Sequence, residues 1–207
     1  MDNLESRGRN YLERCKHPFW QNVFQLEMEY LVEHLKGCRD ILSVGCGPAI
    51  IEGELAKHGF RVTGLDISRE ALSCAPDRIR TVVGRAEDMA FPHHSFDAVI
   101  YVASLQFVDD YRTALDKSAG VLRPGGRLII LLLNPASAFF REKKADPASY
   151  IASIKHPDLA AVQSKASELF LVHGEYYLRI DGDRVEAGGK EPDSALFILS
   201  GTKRAEL

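Results

Sequence analysis

The stretch Asp40-Ile-Leu-Ser-Val-Gly-Cys-Gly-Pro-Ala-Ile50 decides the fold of this chain. It begins as an apolar run of strand type, turns through two glycines, and continues from Ile50 with apolar residues at helical spacing. Gly45 and Gly47 therefore lie between a buried strand and the start of a helix. A glycine lets the backbone approach a ligand closely, and the free N–H groups of a helix start add donors there. The stretch predicts a strand–turn–helix unit with a ligand-binding turn.

A second motif, Arg61-Val-Thr-Gly-Leu-Asp66, ends in an acid about 20 residues after the glycine turn. An acid at the tip of the second strand can accept hydrogen bonds from both hydroxyls of a ribose. The two motifs together indicate a cofactor that contains a nucleoside. A dinucleotide-binding turn has Gly or Ala at the sixth position of its motif, whereas this chain has Ile50 there, which argues against NAD or FAD.

The composition is that of a soluble globular protein of one domain. The chain has 207 residues, of which 45% are hydrophobic and 27% are charged. Its net charge of −3 gives no sign of a broad nucleic-acid surface. No apolar run reaches the roughly 20 residues of a membrane helix, and the start of the chain lacks the basic and apolar regions of a signal peptide. We expect a cytoplasmic protein that binds no membrane and keeps its four cysteines reduced.

Strands and helices alternate between Arg39 and Leu133, which predicts parallel strands joined by crossover helices. Before them, Pro18 to about Leu35 has apolar residues at steps of three and four and is predicted as a helix. Leu128 to Leu133 is a continuous apolar run, as expected for a central strand that is buried on both faces.

The last third of the chain differs in pattern. We expect a loop over Asn134 to Lys144 and a helix from Pro147 to about Glu168 that is interrupted near Pro157. Strands are predicted at 169–172, 176–180 and 195–199, with a hairpin signal at Asp181-Gly-Asp183.

In its motifs, the chain resembles the class I S-adenosylmethionine-dependent methyltransferases of the small-molecule, UbiE-like type. The similar segments follow in the order of that family's motifs: Ile41-Leu-Ser-Val-Gly-Cys-Gly-Pro-Ala49, Val62-Thr-Gly-Leu-Asp-Ile-Ser68, Gly84-Arg-Ala-Glu-Asp-Met-Ala-Phe-Pro92, Ser95-Phe-Asp-Ala-Val-Ile100 and Val121-Leu-Arg-Pro-Gly-Gly-Arg-Leu128. Three positions depart from the family pattern. Ser43 stands where the family usually has an acid, Ala49 where it usually has a third glycine, and Arg85 where an acid often contacts the adenine.

The resemblance implies an α/β fold, a Rossmann-like, doubly wound, mostly parallel seven-stranded sheet with an antiparallel closing strand and an N-terminal helical lid. It implies S-adenosyl-L-methionine as the cofactor and S-adenosyl-L-homocysteine as the product. Asp66 would hold the ribose hydroxyls, and the segment after the third strand would wrap the adenine. The full set of expected cofactor-binding residues is Gly45, Cys46, Gly47, Asp66, Ile67, Ser68, Ala86, Glu87, Tyr101 and Gln106.

The substrate side is expected near the carboxyl ends of the strands, where open α/β sheets bind their ligands. The candidates there are Tyr11, His17, Trp20, Asn134 and Tyr176. His173 is the candidate general base, since histidine serves this role most often. No metal site is expected, because His93 and His94 are adjacent loop residues without a pattern of further ligands.

The predicted organisation is one methyltransferase domain over residues 1–207. It comprises an N-terminal helical cap (1–37), a cofactor-binding half (38–133), and the substrate side with the closing strands (134–207). Tyr101-Val-Ala-Ser104 follows the fourth strand, where enzymes that methylate nitrogen in nucleic acids and proteins often carry Asn-Pro-Pro-Tyr or Asp-Pro-Pro-Tyr. This difference and the mild acidity favour a small-molecule acceptor over a nucleic-acid partner.

Two alternatives stay open at this point. The first is a non-catalytic module that senses S-adenosylmethionine or scaffolds a partner, because Ser43 and Ala49 depart from the family pattern. The second is a nucleotide-dependent oxidoreductase, which Ile50 disfavours.

Overall fold

The computed structural model describes residues 16–147 and 149–205. The α-helices are α1 (Pro18–His34), α2 (Ile50–Lys57), α3 (Arg69–Leu72), α4 (Tyr111–Val121), α5 (Ala138–Ala145) and α6 (Leu159–Leu169). The strands are β1 (Asp40–Val44), β2 (Arg61–Asp66), β3 (Arg80–Val83), β4 (Phe96–Val102), β5 (Leu122–Leu133), β6 (Phe170–Asp181), β7 (Arg184–Glu186) and β8 (Ser194–Lys203). Two short 3₁₀ helices cover Leu105–Phe107 and Tyr150–Ser153. Within these ranges, no helix combines the length and the apolar character needed to cross a membrane.

The eight strands of the described residues form one sheet in the order β3-β2-β1-β4-β5-β8-β6-β7. β1 to β5 are parallel, β8 runs antiparallel to both β5 and β6, and β7 runs antiparallel to β6. The predicted Rossmann-like fold is confirmed, with two corrections. The sheet has eight strands rather than seven, and two of them run against the rest. Both differences arise because the predicted hairpin, with Gly182 at φ 57°, folds a short strand back onto β6.

The predicted strands at 169–172 and 176–180 are a single strand, β6. Gly174 lies between the two predicted strands. In the structure it is part of β6 and leaves space for the side chain of a residue on the adjacent strand. A Cβ at Gly174 would lie 2.5 Å from the ring of Phe197 on β8. The predicted loop after β5 is also wrong in part, since it contains α5, whose N-cap Ser137 accepts a hydrogen bond from the Phe140 N–H at 3.1 Å.

The sheet separates two apolar cores. One core lies beneath α1 and α2 and includes Leu31 and Leu55, and the other lies beneath α4 and α6 and includes Leu115 and Ala166. Residues 128–133 of β5 are buried throughout, which confirms the prediction of a central strand covered on both faces.

Helix α1 runs antiparallel to β5, and this orientation decides which of its residues approach the site. At its carboxyl end, Arg127 at the base of β5 donates to the carbonyl oxygens of His34 (2.6 Å) and Lys36 (2.9 Å). At its amino end, Phe19 stacks on Phe139, which follows β5. The first turn of α1 therefore lies at the carboxyl end of the parallel strands.

Candidate functional site

The glycine turn after β1 is shaped by two left-handed residues, Gly45 (φ 74°) and Gly47 (φ 53°). Ser104, just after β4, donates from Oγ to the carbonyl oxygen of Val44 at 2.6 Å, and a Cβ at Gly45 would lie 2.6 Å from the Ser104 Cβ. Around Gly47, by contrast, no atom of the described residues lies within 4 Å of an added Cβ. Gly45 is thus required by packing against β4, whereas Gly47 leaves open space beside the turn.

Asp66, at the carboxyl end of β2, is tied to this turn. Its Oδ2 accepts a hydrogen bond from the Gly47 N–H at 2.7 Å, and its Oδ1 accepts one from the Ser68 N–H at 2.8 Å. A carboxylate has about four lone-pair sites, so two acceptor positions stay available for a ligand. Ser68 caps α3 by accepting from the Ala71 N–H at 3.1 Å, as predicted.

Two large apolar side chains next to Asp66 face solvent. Ile67 is 64% exposed and Val83, the last residue of β3, is 43% exposed. Large apolar side chains exposed beside a polar site commonly contact a ligand. Ile67 was predicted from the sequence, and Val83 was missed, although its place at the end of a strand was a usable signal.

Ser43, the residue that replaces the family's acid, is bonded to an acid from another element. Its Oγ donates to Oε1 of Glu52 in the first turn of α2 at 2.5 Å, and both side chains are buried. Burial raises the pKa of the Glu52 carboxyl to about 7, against the lowering effect of the Ser43 hydrogen bond. A buried carboxyl from α2 therefore lies beside Ser43 of β1.

Ala49, the residue that replaces the third glycine, has a left-handed conformation (φ 55°) and is fully buried at the N-cap of α2. A residue with a Cβ is strained in this region by about 1–2 kcal/mol. The backbone thus keeps the conformation that favours glycine although the side chain has changed.

Cys46 contributes its backbone to the turn, while its side chain faces the sheet. A Cβ at Gly64 on β2 would lie 2.6 Å from the Cys46 Sγ. Burial is the main cause that raises the pKa of the Cys46 thiol well above its usual range. The thiol is a packing group rather than a nucleophile.

Tyr101 and Gln106 were predicted to bind the cofactor, and the structure corrects both. Both side chains are fully buried. The Tyr101 hydroxyl is hydrogen-bonded to the Ser118 Oγ of α4 at 2.8 Å. The Gln106 amide donates to the Leu133 carbonyl oxygen (3.1 Å) and accepts from the Leu133 N–H (2.7 Å). Both residues satisfy buried polar groups of the scaffold.

The segment after β3 is held by its own side chains. Glu87 accepts hydrogen bonds from the backbone N–H groups of Asp109 (2.9 Å) and Asp110 (3.0 Å), at the start of α4. Arg85 donates to Asp109 at 2.5 Å, and this bond, with that from Lys155, lowers the pKa of Asp109 to about 2. Ala86 is buried in the second core. Oε1 of Glu87 thus fixes this segment to the start of α4.

Among the substrate-side candidates, Asn134 and Tyr176 have structural roles. Asn134 is buried, donates to the Ser194 carbonyl oxygen (2.8 Å) and accepts from the Ala136 N–H (3.0 Å). Tyr176 packs against Phe197 on the α4–α6 side of the sheet, away from α1. The Asn134 side chain is therefore engaged within the scaffold, whereas Tyr176 is half-buried on the side of the sheet opposite to α1.

The remaining polar candidates also lie outside the turn. The ring Nδ1 of His17 accepts from the Phe19 N–H at 3.3 Å and so caps α1, and Tyr11 lies outside the described residues. His173 lines a groove of about 460 Å³ with His34 and Arg127, near the carboxyl end of α1. The structure therefore does not place His173 as a general base at the site. His93 and His94 are exposed, and the described part of the chain contains no group of three or more metal-ligating side chains.

An aromatic cluster occupies the carboxyl end of the sheet on the α1 side. Its members come from α1, from the segment after β4 and from the segments after β5: Phe19, Trp20, Phe107, Phe139 and Tyr150. Trp20 contacts both Phe139 and Tyr150, with ring centroids 6.2 and 6.4 Å apart. Of the substrate-side candidates, Trp20 is the one that the structure places among side chains able to bind an apolar group.

Known proteins resemble this chain at two levels. A family model described as "Methyltransferase domain" matches residues 42–130. The demethylmenaquinone methyltransferase of Corynebacterium glutamicum is 36% identical over 97 residues, which make up 46% of this chain and 42% of that protein. The chain thus aligns with less than half the length of this relative.

Solved structures match over nearly the whole chain. A Thermotoga maritima protein described as a possible histamine N-methyltransferase has a TM-score of 0.80 at 21% identity, covering 97% of this chain and 98% of its own. The N-methyltransferase NodS of Bradyrhizobium japonicum, in complex with S-adenosyl-L-homocysteine, has a TM-score of 0.68 at 18% identity, covering 99% and 100%. These likenesses show the fold, while the family model identifies the part that carries the glycine turn and Asp66. Residues 42–130, which carry the glycine turn and Asp66, therefore match a methyltransferase domain.

Proposed function

We propose that this protein transfers the methyl group of S-adenosyl-L-methionine to a small-molecule acceptor and releases S-adenosyl-L-homocysteine. The observation that carries the proposal is the arrangement of Gly47 and Asp66. Open space lies beside Gly47, and the Asp66 carboxylate holds the turn while keeping acceptor positions for a ribose. Exposed Ile67 next to it gives an apolar surface for the adenine.

Methyl transfer from a sulfonium requires few catalytic groups from the protein. The sulfonium carries an activated methyl group, so transfer requires an acceptor lone pair in line with the methyl carbon and neutral sulfur as the leaving group. Holding the two reactants in line accounts for much of the acceleration. A general base is required only where the acceptor must lose a proton, so the absence of His173 from the site does not argue against transfer.

The acceptor side of the proposal rests on the aromatic cluster. Its side chains lie at the carboxyl ends of β4 and β5 and beneath the first turn of α1, where an acceptor would meet the cofactor. An aromatic surface favours an apolar or aromatic small molecule. We further propose that residues 1–37 act as a helical cap over this surface, with residues 38–133 and 134–207 as the cofactor and substrate parts of one domain.

The cofactor is tested by calorimetry and thermal shift with S-adenosylmethionine, S-adenosylhomocysteine and NAD. We expect the two sulfur compounds to bind in the micromolar range, roughly −8 kcal/mol. Stabilisation by NAD and by neither sulfur compound would contradict the proposal and favour the oxidoreductase alternative.

Asp66→Ala should weaken binding of S-adenosylhomocysteine by about tenfold or more, because hydrogen bonds to a charged group contribute on the order of 1.5–3 kcal/mol each. Asp183→Ala, in the exposed hairpin turn, is the matched control and should bind like the wild type. Equal affinities of the wild type and Asp66→Ala would show that Asp66 serves only the turn.

Catalysis is tested by the formation of S-adenosylhomocysteine with a panel of acceptors. The names of the relatives suggest including a demethylated quinone and aromatic amines in the panel. Binding of S-adenosylmethionine without transfer to any acceptor of the panel would favour a non-catalytic sensor.

A further inference from the structure

The groove that His173 lines lies at the opposite end of the sheet from the glycine turn. Its volume of about 460 Å³ falls within the range of small-molecule sites. Arg127, on its wall, pairs with Ala98 at the start of β4, so the groove lies at the amino ends of the parallel strands. The glycine turn follows the carboxyl end of β1. The site described above therefore does not account for this groove.

The strand pairing arranges the floor of the groove as two rows of cross-strand neighbours on β5, β8 and β6. One row is Arg127, Thr202 and Leu171, and the other is Ile129, Ser200 and His173. Residues two apart on a strand share a face of the sheet, so both rows lie on one face. Directly opposite residues have Cβ atoms about 4.5–5.5 Å apart. The fold thus places a guanidinium, an imidazole and two hydroxyls on one patch.

The donors of this patch are largely unused. Within the described residues, neither the Ser200 and Thr202 hydroxyls nor the His173 ring has a hydrogen-bond partner. Arg127 donates from Nη1 to the carbonyl oxygens of His34 (2.6 Å) and Lys36 (2.9 Å). Its Nε and Nη2 donate to no described residue. Every fully buried side-chain polar atom of the described residues has a partner, so these donors are accessible to solvent.

The charge of the groove is positive. Among the described residues that line it, one is a carboxylate, Glu33, and Lys36 pairs with it at 2.5 Å. Glu175, the next side chain of β6 on this face, accepts a hydrogen bond from Tyr30 of α1 at 2.6 Å. Once Glu33 and Lys36 cancel, the charge of Arg127 is left. The groove is therefore complementary to a ligand with one negative charge.

An apolar side chain lies beside these donors. Leu171, at the end of the first row, is 61% exposed, which is unusual for a leucine on a strand. An exposed apolar side chain at the edge of a polar site commonly contacts the apolar part of a ligand. The lining thus fits a molecule with an acidic group at one end and a short apolar body.

We propose that this groove binds a small organic monocarboxylate. The carboxylate accepts two parallel hydrogen bonds from Nε and Nη2 of Arg127, the bidentate geometry that a guanidinium favours. The Thr202 and Ser200 hydroxyls donate to its remaining lone pairs, and its apolar body lies on Leu171. A phosphate monoester carries nearly two charges at neutral pH, which the single charge of Arg127 matches less well. The inference does not depend on the proposed function.

The ligand class is tested by calorimetry with hexanoate, hexylamine, hexan-1-ol and inorganic phosphate. At about 0.15 M salt, hexanoate should bind with a dissociation constant on the order of 1 mM or below. The amine and the alcohol, which have the same chain without the carboxylate, should not bind measurably. Equal binding of either one would show a merely apolar surface. Inorganic phosphate that bound as tightly as hexanoate would show a site for bare anions. Either result would overturn the proposal.

The place of binding is tested by two conservative variants. Arg127→Lys keeps the charge and loses the paired donors, and Thr202→Val keeps the shape and loses the hydroxyl. We expect hexanoate affinity to fall by about tenfold and about fivefold, respectively. Arg80→Lys and Thr81→Val, exposed on β3, are the matched controls and should bind like the wild type. Wild-type affinity in Thr202→Val, which loses no hydrogen bond to a described residue, would overturn the assignment even if Arg127→Lys were unstable.

Competition separates this groove from the cofactor site. Hexanoate should bind with the same affinity, within about twofold, to protein saturated with S-adenosylhomocysteine. Displacement of hexanoate by S-adenosylhomocysteine would place the carboxylate at the glycine turn and overturn the inference. A wild-type protein that binds hexanoate but not S-adenosylhomocysteine would contradict the proposed function and leave this inference standing.

Discussion

At the scale of single residues, Gly47 and Gly125 form a natural pair for experiment. Both have a left-handed backbone, φ 53° and 71°, and at both an added Cβ would meet no atom of the described residues within 4 Å. Gly47→Ala and Gly125→Ala should therefore lower stability by a similar amount, about 1–2 kcal/mol. Only Gly47→Ala should also lose affinity for S-adenosylhomocysteine, because its methyl group would occupy the space beside the turn. Denaturant unfolding and calorimetry on both variants measure the two effects separately.

Gly45→Ala should behave differently from Gly47→Ala. Its Cβ would overlap the Ser104 Cβ at 2.6 Å, so the turn must move before any ligand is considered. We expect lower stability than in either other variant. Normal affinity in Gly47→Ala, at the stability of Gly125→Ala, would show that the turn is not the cofactor cradle.

The sequence predicted the backbone of the site better than its side chains. The turn at Gly45 and Gly47 and the place of Asp66 beside it follow from spacing and from the strand-to-helix turn, which are local. Tyr101 and Gln106 were misassigned because a polar residue at a strand end can face either a ligand or a buried carbonyl group. Only the packing of α4 and β5 around them decides between the two.

The pairing of Ser43 with Glu52 shows the same limit. The sequence shows a serine at position 43 where the resembled family usually has an acid, and it gives no sign that a glutamate nine residues later bonds to this serine. The burial of Glu27 was not predicted from the sequence for a similar reason. It occupies a position of α1 whose spacing matches a buried face, and a charged residue there has no local signature.

At the scale of elements, α1 is held by hydrogen bonds to β5 and β6 along its carboxyl half and by aromatic packing at its amino end. Tyr30 donates to Glu175 at 2.6 Å, Tyr177 donates to the Leu26 carbonyl oxygen at 3.3 Å, and Arg127 holds the last turn. At the amino end, His17 caps the helix, and Phe19 and Trp20 pack on Phe139 of the aromatic cluster.

This division predicts opposite effects at the two ends of α1. Trp20→Ala removes an aromatic surface worth on the order of 1 kcal/mol. We expect it to lower kcat/KM for methyl transfer by about tenfold, with a smaller effect on the melting temperature. Steady-state kinetics well below the melting temperature, combined with thermal unfolding, measure both.

Tyr30→Phe is the matched variant at the fixed end. It removes the hydrogen bond to Glu175 and should lower the melting temperature by several degrees, since 1 kcal/mol corresponds to about 2–4 °C for a domain of this size. Methyl transfer should stay at the wild-type rate below that temperature. Full activity in Trp20→Ala, with a lowered melting temperature, would mean that the aromatic residues of α1 serve only packing.

Elements with a local sequence pattern were predicted well. Elements whose bounds depend on packing against residues distant in sequence were predicted poorly. β1, α2, β2 and β4 follow from apolar runs and turns. β6 was predicted as two strands. Gly174 lies between them, and in the structure the neighbouring Phe197 makes the glycine necessary. The sequence cannot show which ring on another strand a glycine faces.

At the scale of the whole molecule, the buried carboxyls predict an unusual pH dependence. Glu27 has a pKa of about 8 in the folded protein, against 4.5 as its reference value, so the folded state binds the proton more tightly. The stabilisation is complete below about pH 4.5 and is lost as the pH rises to about 8. The ligand-free protein should therefore be less stable at pH 8.5 than at pH 6.

Glu27→Gln should remove much of this dependence. We expect it to exceed the wild type in stability at pH 8.5 by at least about 1 kcal/mol, measured by urea unfolding at both pH values. Glu29→Gln, on the exposed side of the same helix, should follow the wild type. A wild-type protein equally stable at both pH values would show that Glu27 is already ionised in the folded protein at pH 6, so that burial does not raise its pKa.

The position of β8 determines the order in which the strands can pair during synthesis. β8 is the last described strand to be made, yet it lies between β5 and β6. While the ribosome is still translating the preceding residues, β6 and β7 have only each other to pair with, and the outer edge of β5 is open. The strands that carry the glycine turn, Asp66 and Ser104 are all complete before that point. The part of the sheet that carries the glycine turn and Asp66 can thus form in the nascent chain, whereas β6 and β7 can join it only after β8 has been made.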